Sequence, residues 1–195
     1  MNEVYKKVLR CYESLQKKFD FRNFRPDVAI VLGSGLGDYA NDIEVVGEVD
    51  YHDIEGFPVS TVPGHAGKFI FGYVGDVPVV CMKGRIHYYE GYPITDVVLP
   101  ARLMKLMGAK VLFLTNACGG LNPEFKAGDF MLIKDQISVF VPNPLIGENI
   151  DELGTRFPDM SHVYDPELRN LIKEAAAENE IILRDGVYCQ FTGPS

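Results

Sequence analysis

Apolar residues recur three or four positions apart at the beginning of the chain, which is the period of an amphipathic helix. The pattern covers residues 3–19 and predicts a packing helix there. Two short, mostly apolar runs at residues 27–32 and 110–115 are typical of buried strands. Each run leads into a loop of small residues, as expected where a strand enters a glycine-rich turn.

The middle of the chain predicts a β-hairpin followed by a helix. Residues 68–74 and 77–83 flank Gly75-Asp76, a pair that favours a tight turn between antiparallel strands. Residues 93–107 carry apolar side chains at helical spacing, and Gly108 can end this helix. Pro100 is expected to kink the helix or to delay its start, because proline lacks the backbone donor.

The remaining pattern continues an alternation of strands and helices. We expect a strand near residues 129–138, a helix near 166–179 and a strand near 186–191. This alternation predicts an α/β fold with a layered mixed β-sheet flanked by helices, in which the hairpin supplies the antiparallel pairing. Since no repeat or linker divides the chain, we expect residues 1–195 to form a single α/β domain.

The stretch from residue 140 to residue 162 holds three prolines and shows little periodicity. Long irregular connections inside compact domains are often lids or binding loops. This stretch is therefore a candidate lid or subunit contact, and a disordered segment is the alternative.

Composition and charge argue against several classes of protein. The 195 residues are 47% hydrophobic and 24% charged, and no apolar run approaches the roughly 20 residues of a membrane span. The net charge of −8 argues against a nucleic-acid binder, which needs a basic face. Four widely spaced cysteines, and an N-terminus without the apolar core of a signal peptide, predict a cytoplasmic protein without disulfides or a membrane partner.

The strongest candidate for a functional site is the segment 83–93, which directly follows the predicted hairpin. It places Arg85, His87, Tyr89 and Glu90 close together. A guanidinium offers a planar fork of donors for phosphate or carboxylate, and the nearby histidine can donate a second bond or transfer a proton. The segment predicts a bound oxyanion beside a polar organic substrate, with a plain polar loop as the alternative.

Three other loops fit the same kind of ligand. Residues 33–37 (Gly-Ser-Gly-Leu-Gly) can form an anion-binding nest, although the dinucleotide and Walker patterns are absent. His65 lies in a loop between two glycines, where the backbone can approach a ligand. Residues 116–120 (Asn-Ala-Cys-Gly-Gly) follow the end of a strand, where ligands bind in α/β sheets. Taken singly, each loop is more often an ordinary turn.

No metal site is indicated by the sequence. The four histidines are scattered without the spacing of a zinc or di-metal site, so we expect no bound metal. Nothing marks Cys118 as a nucleophile, and a small thiol in a tight turn is its simplest interpretation.

The four loops carry further residues in a recognisable order. They comprise residues 33–37, 63–67, 84–93 and 115–120, and the same order continues through 122–123, 128–129, 156–161 and 193–195. Together they resemble the trimeric purine nucleoside phosphorylases over nearly the whole chain from Val28 onward. The Tyr-Glu-Gly-Tyr-Pro continuation at residues 89–93 is similar to the inosine and guanosine branch and not to the methylthioadenosine phosphorylases.

The resemblance implies a nucleoside phosphorylase fold that is incomplete at its C-terminus, because the family motif continues beyond Ser195. It also implies roles for individual residues. Inorganic phosphate would be held by Ser34, His65, Arg85, His87 and the backbone amide of Ala117. The nucleoside-binding pocket would be lined by Tyr89, Asn116, Ala117, Cys118, Gly119 and Phe157.

His87 and Glu90 are the expected catalytic pair. The spacing of three residues suggests that His87 positions the phosphate and that Glu90 orients or charges His87. No protein nucleophile is needed, because phosphate itself attacks the sugar and stabilises its positive charge.

The reaction implied by the resemblance is reversible phosphorolysis of a purine (deoxy)ribonucleoside to the free base and (deoxy)ribose 1-phosphate. This is a pentosyl transfer in purine salvage that uses no cofactor and takes inorganic phosphate as co-substrate. Two alternatives stay open. One is a short, non-catalytic protein of the same fold that binds phosphate or assembles with partners, and the other is a nucleoside hydrolase in which water replaces phosphate.

Phe157 resembles a phenylalanine that reaches into the nucleoside pocket of the neighbouring subunit in this family. The resemblance therefore implies a homotrimer with shared active sites, which binds purine nucleoside and phosphate but no nucleic acid. An ordinary core aromatic is the alternative for Phe157.

Overall fold

The computed structural model describes residues 2–60 and 67–193. The chain forms two compact units, of which the first spans residues 1–117 and the second spans residues 118–195. The single domain expected over residues 1–195 stays a prediction. In the described part of the chain, no helix is both long and apolar enough to cross a membrane.

The first unit is built on a mixed sheet of five strands. They are β1 (Val28–Val31), β2 (Glu44–Asp50), β3 (Lys68–Val74), β4 (Val77–Lys83) and β5 (Val111–Leu114). The strand order is β2-β3-β4-β1-β5. The first three of these pair antiparallel, whereas β4, β1 and β5 run parallel. This arrangement confirms the predicted fold class, a mixed sheet flanked by helices.

Helices α1 (Glu3–Gln16), α2 (Ile94–Val97) and α3 (Leu99–Met107) accompany this sheet. The Asn2 side chain caps α1 by accepting the Val4 N–H at 2.9 Å. Both longer helices bury apolar side chains in one core with Phe69 and Phe71 from the sheet. The core therefore lies between these helices and one face of the sheet.

The hairpin was predicted residue for residue, since β3 and β4 begin and end where the apolar pattern does. The first helix is shorter than expected and ends at Gln16. Phe19 lies beyond it and stacks on Phe71 with ring centroids 4.0 Å apart. The helical spacing of apolar residues extended to Phe19 in the sequence because Phe19 packs against the core. It does so from outside the helix.

The helix predicted over residues 93–107 is divided at Val98, which ends α2 and begins α3. Pro100 lies in the first turn of α3, where its missing N–H costs no helical hydrogen bond. Gly108 ends α3 with φ +117°, so the predicted glycine cap is confirmed.

Strand β2 was not predicted. It pairs with β3 alone, has a register irregularity between Val45 and Gly47, and leaves Val45 and Val46 exposed. Such a strand lacks the alternation of apolar and polar residues that marks a half-buried strand, because the irregularity breaks the side-chain period.

The second unit contains β6 (Phe130–Ile137), α4 (Pro166–Glu178) and β7 (Leu183–Cys189). The two strands pair in parallel, with α4 in the connection between them. The predicted strand at 186–191 is correct in type, but β7 begins three residues earlier. Between β6 and α4 the backbone is irregular, and the role of this stretch as a lid or subunit contact stays a prediction.

Candidate active site

Three parallel strands of the first unit end side by side. Val31, the last residue of β1, is in register with Met82 of β4 and with Leu114 of β5. The loops that follow these strands therefore start at one edge of the sheet. This edge is where ligands bind in α/β sheets, and it carries three of the four candidate loops.

The loop after β1 is joined to the loop after β5. The Thr115 hydroxyl accepts the Gly33 N–H at 2.9 Å and donates to the Val31 carbonyl at 2.9 Å. A Cβ atom on Gly33 would lie 2.6 Å from the Asn116 Cα, so only glycine fits at this position. Ser34 follows Gly33 and is exposed at the same edge.

Arg85 connects the loop after β4 to the loop after β5. Its Nη1 donates to the Thr115 carbonyl at 2.8 Å. Its Nε lies 3.4 Å from Nε2 of His87, a long hydrogen bond. The guanidinium thus bridges the loops that follow β4 and β5.

His87 and Glu90 are in direct contact. Glu90 Oε1 accepts the His87 backbone N–H at 2.6 Å and lies 3.0 Å from His87 Nδ1. Since a guanidinium cannot accept a hydrogen bond, the bond from Arg85 requires His87 Nε2 to be the acceptor. We therefore assign the proton to Nδ1, where it is donated to Glu90.

The Glu90 carboxylate is shielded from solvent, with only 2% of its side chain exposed. A buried carboxylate requires hydrogen-bond partners, and it has them on both oxygens, because Ser60 Oγ donates to Oε2 at 3.0 Å. The short 3₁₀ helix Tyr88–Glu90 turns the chain so that Glu90 reaches back to His87.

Tyr89 lies against the imidazole of His87. The two rings stack with centroids 4.8 Å apart and an interplanar angle of 14°. Tyr89 is 44% exposed, so its ring covers His87 with one face while part of the residue is open to a ligand.

Two tyrosines to which the sequence assigned no individual role support this loop. Tyr51, only 1% exposed, donates from Oη to the Gly84 carbonyl at 2.8 Å. Burial raises the pKa of the Tyr51 phenol well above its ordinary value, so the group stays a donor. Tyr92 donates to the Val59 carbonyl at 2.6 Å. No local pattern reveals these contacts, because 33 residues separate the partners in each.

The other predicted site residues are placed as follows. Asn116 is half-buried beside Thr115, and its Nδ2 lies 3.3 Å from the Ala117 carbonyl. Ala117 is exposed at the end of the first unit. Gly119 and Phe157 belong to the second unit, where Phe157 is 84% exposed and lies under the Arg156 guanidinium. His65 lies outside the described residues.

Within 2–60 and 67–193, no group of three histidine, cysteine, aspartate or glutamate side chains is arranged to hold a metal ion. The side chains that the structure brings together at this edge of the sheet are the Arg85 guanidinium, the oriented His87 imidazole and the buried Glu90 carboxylate.

Comparison of the sequence and the fold with known proteins identifies the family of this chain. The sequence pattern of the phosphorylase superfamily matches residues 27–195. Purine nucleoside phosphorylase 1 of Bacillus subtilis is 48% identical over 170 residues, which cover 87% of this chain and 63% of the relative. The chain thus spans less than two thirds of the length of this relative.

Solved structures agree with the sequence comparison. The purine nucleoside phosphorylase of Schistosoma mansoni in complex with acetate is 40% identical and superimposes with a TM-score of 0.90, covering 97% of this chain and 71% of that one. A purine nucleoside phosphorylase in complex with ribose 1-phosphate is also 40% identical, with a TM-score of 0.88 and the same shares covered. The chain therefore belongs to the phosphorylase superfamily and, within it, to the purine nucleoside phosphorylase family.

Proposed function

We propose that this protein catalyses the phosphorolysis of purine nucleosides to the free base and pentose 1-phosphate. One structural observation carries the proposal. Arg85 is fixed at the carboxyl edge of the sheet by the Thr115 carbonyl and stands beside His87, which is oriented by the buried Glu90. This is an oxyanion site with a directed imidazole, and the relatives named above are nucleoside phosphorylases.

Phosphate binds to Arg85 and His87 in this proposal. The bond between Arg85 Nε and His87 Nε2 is long at 3.4 Å, so an entering phosphate exchanges it for shorter charge-assisted bonds. Each such bond contributes about 1.5–3 kcal/mol. Ser34 and the amide of Ala117 contribute from the neighbouring loops, and His65 contributes from the segment outside the described residues.

His87 changes its role when phosphate enters. In the present arrangement Nε2 accepts from Arg85, whereas toward a phosphate oxygen it donates once it carries a proton. Glu90 stabilises the resulting imidazolium, because its carboxylate is buried and already bonded to Nδ1. Glu90 thus orients and charges His87, and both residues serve the placement of the phosphate.

The nucleoside lies beside the phosphate in this proposal. The exposed part of Tyr89 lines the ribose, while Asn116, Ala117, Cys118, Gly119 and Phe157 line the nucleoside and its purine. Small residues after β5 leave room for a flat ring.

The reaction requires no protein nucleophile. An oxygen of hydrogen phosphate forms a bond to the anomeric carbon as the glycosidic carbon–nitrogen bond breaks. The electron pair of the broken bond goes to the base, and the proton of hydrogen phosphate is the one that the base gains overall. Alignment of the two reactants lowers the activation barrier by up to about 7–11 kcal/mol. The negative charge of the phosphate stabilises the cation-like sugar of the transition state.

We further propose that the protein acts in the cytoplasm as a homotrimer. The exposure of Phe157 supports a contact with another subunit, because a large aromatic at 84% exposure is not a core residue of this chain. Sedimentation equilibrium measures the assembly directly. A monomer with full activity would overturn the shared-site proposal.

The function is tested by incubating the protein with inosine and measuring hypoxanthine release with and without inorganic phosphate. We expect release only when phosphate is present, together with an equal amount of ribose 1-phosphate. Release of hypoxanthine and free ribose without phosphate would indicate a hydrolase instead. Binding of phosphate by calorimetry without any cleavage would support the non-catalytic alternative.

A further inference from the structure

Ser60 is a partner of Glu90 that lies outside the loop of residues 84–92. Its hydroxyl donates to Oε2 at 3.0 Å, while both bonds to His87 are made through Oε1. The two oxygens of the carboxylate are therefore used differently. The Ser60 bond fixes the plane of the carboxylate, because rotating the group out of this plane would break the bond to Ser60 and turn the other oxygen away from His87.

Ser60 is held in place from a different part of the fold. The preceding residues Phe57 and Pro58 are buried, and the Phe57 ring packs against Tyr51 at 4.7 Å and Phe69 at 5.4 Å between centroids. Tyr92 fixes the backbone of Val59 with a hydrogen bond to its carbonyl. The hydroxyl is thus presented to Glu90 by a docked segment, 30 residues away along the chain.

The contact has a consequence for His87 as well. Oε1 accepts the backbone N–H and faces Nδ1, which keeps the proton on Nδ1 and leaves Nε2 toward Arg85. If Glu90 were free to turn, this assignment of the two ring nitrogens would depend on the long 3.4 Å bond from Arg85 alone.

We propose that Ser60 is a positioning residue of the site. Its hydroxyl holds the Glu90 carboxylate so that the imidazole of His87 directs Nε2 at the oxyanion. This role requires no contact between Ser60 and the phosphate or the sugar. The kinetic part of this proposal rests on the proposed phosphorolysis, whereas the orientation of His87 can be measured without any turnover.

The first experiment compares Ser60→Ala with wild type by nitrogen-15 NMR of the histidine rings, in phosphate-free buffer. The His87 signal is assigned by its loss in His87→Gln. We expect wild type to show the tautomer with the proton on Nδ1 and Ser60→Ala to show a mixture of the two tautomers. An unchanged His87 spectrum in Ser60→Ala would overturn the proposal.

The second experiment measures inosine phosphorolysis at varied phosphate. We expect Ser60→Ala to lower kcat/KM for phosphate about tenfold, the effect of one charge-assisted bond, with the KM for inosine unchanged. Ser60→Thr keeps the hydroxyl and is expected to restore wild-type values. If Ser60→Thr is as impaired as Ser60→Ala, the hydroxyl is not responsible and the proposal fails.

A matched variant separates positioning from general stability. Ser14 Oγ accepts the Glu55 N–H at 2.9 Å, a single long-range bond in the same unit but away from the site. We expect Ser14→Ala and Ser60→Ala to lower Tm by similar amounts while only the latter alters His87. A Tm loss in Ser60→Ala far beyond that of Ser14→Ala would overturn the proposal in favour of a structural role. Inactive wild type with the expected tautomer change would reject only the proposed function.

Discussion

The Thr115 hydroxyl accepts the backbone N–H of Gly33 at 2.9 Å, and this contact joins two loops that are 82 residues apart. The same hydroxyl donates to Val31, and the carbonyl of Thr115 accepts from Arg85. One residue therefore links the ends of all three parallel strands. The position of the Arg85 guanidinium depends on this junction, because Thr115 is its backbone anchor.

Replacing Thr115 by valine tests the junction. Valine has nearly the shape of threonine but lacks the hydroxyl, so the Gly33 N–H and the Val31 carbonyl lose their shared partner. We expect Thr115→Val to lower the free energy of unfolding by about 1–3 kcal/mol, the cost of an unsatisfied buried group, as measured by urea denaturation. Thr192→Val, at an exposed position with only a 3.4 Å contact, is the control. Equal stability of Thr115→Val and wild type would contradict the prediction.

Arg85→Lys tests the proposed oxyanion site. Lysine keeps the charge but cannot bind Thr115 and phosphate with a planar fork. We expect the affinity for inorganic phosphate to fall by about 10- to 100-fold, corresponding to the loss of one charge-assisted bond of roughly 1.5–3 kcal/mol, as measured by calorimetry. Arg22→Lys is the matched control, because Arg22 is exposed and pairs only locally with Asp20. Phosphate affinity that does not distinguish the two variants would reject Arg85 as the phosphate ligand.

Glu90→Gln tests whether the charge beside His87 matters. The amide has the size of the carboxylate but cannot stabilise an imidazolium. We expect kcat/KM for phosphate to fall by about tenfold or more, as expected for a buried charged partner, in steady-state phosphorolysis. Glu48→Gln serves as the control, since Glu48 forms an exposed ion pair with Lys68 on β2 and β3. If phosphate affinity and turnover are unchanged in Glu90→Gln, the assigned role of Glu90 is wrong.

Tyr51→Phe tests a buried hydroxyl and its pH dependence. Burial raises the pKa of Tyr51 in the folded protein above the ordinary value of 10.0. The unfolded chain therefore loses this proton first, so the folded state is favoured fully below pH 10 and less as the pH rises toward the folded pKa. We expect wild type to lose stability above pH 10 more steeply than Tyr51→Phe.

The pH series contains its own internal reference. Burial also raises the pKa of Cys11 to about 11 and that of Cys81 to about 12. These two thiols therefore also lower the stability of the folded protein as the pH rises. Both thiols are present in wild type and in Tyr51→Phe. The difference between their curves of unfolding free energy against pH therefore gives the contribution of the Tyr51 phenol. Parallel curves from pH 8 to pH 11 would show that Tyr51 does not contribute.

The local sequence pattern was sufficient to predict those strands and helix ends that are determined by residues close together in the chain. Strands β3 and β4 were predicted with their true bounds because Gly75-Asp76 separates two apolar runs, and α3 ends at Gly108 as expected. Strand β2 escaped prediction because its exposed valines and irregular register carry no alternating pattern. The end of α1 was misplaced because Phe19 contributes to the core through Phe71 rather than through the helix.

The candidate site divides in the same way. By itself, the sequence determined the types of side chain, the spacing of His87 and Glu90, and the small residues after β1 and β5, since these are properties of neighbours along the chain. Only the tertiary structure decided that Thr115 anchors Arg85, that Ser60 holds Glu90 and that Tyr51 supports Gly84. Each of these contacts joins residues 30 or 33 positions apart, and they form only when the strands have paired. No local pattern encodes such a contact, because its partners meet through the register of the sheet.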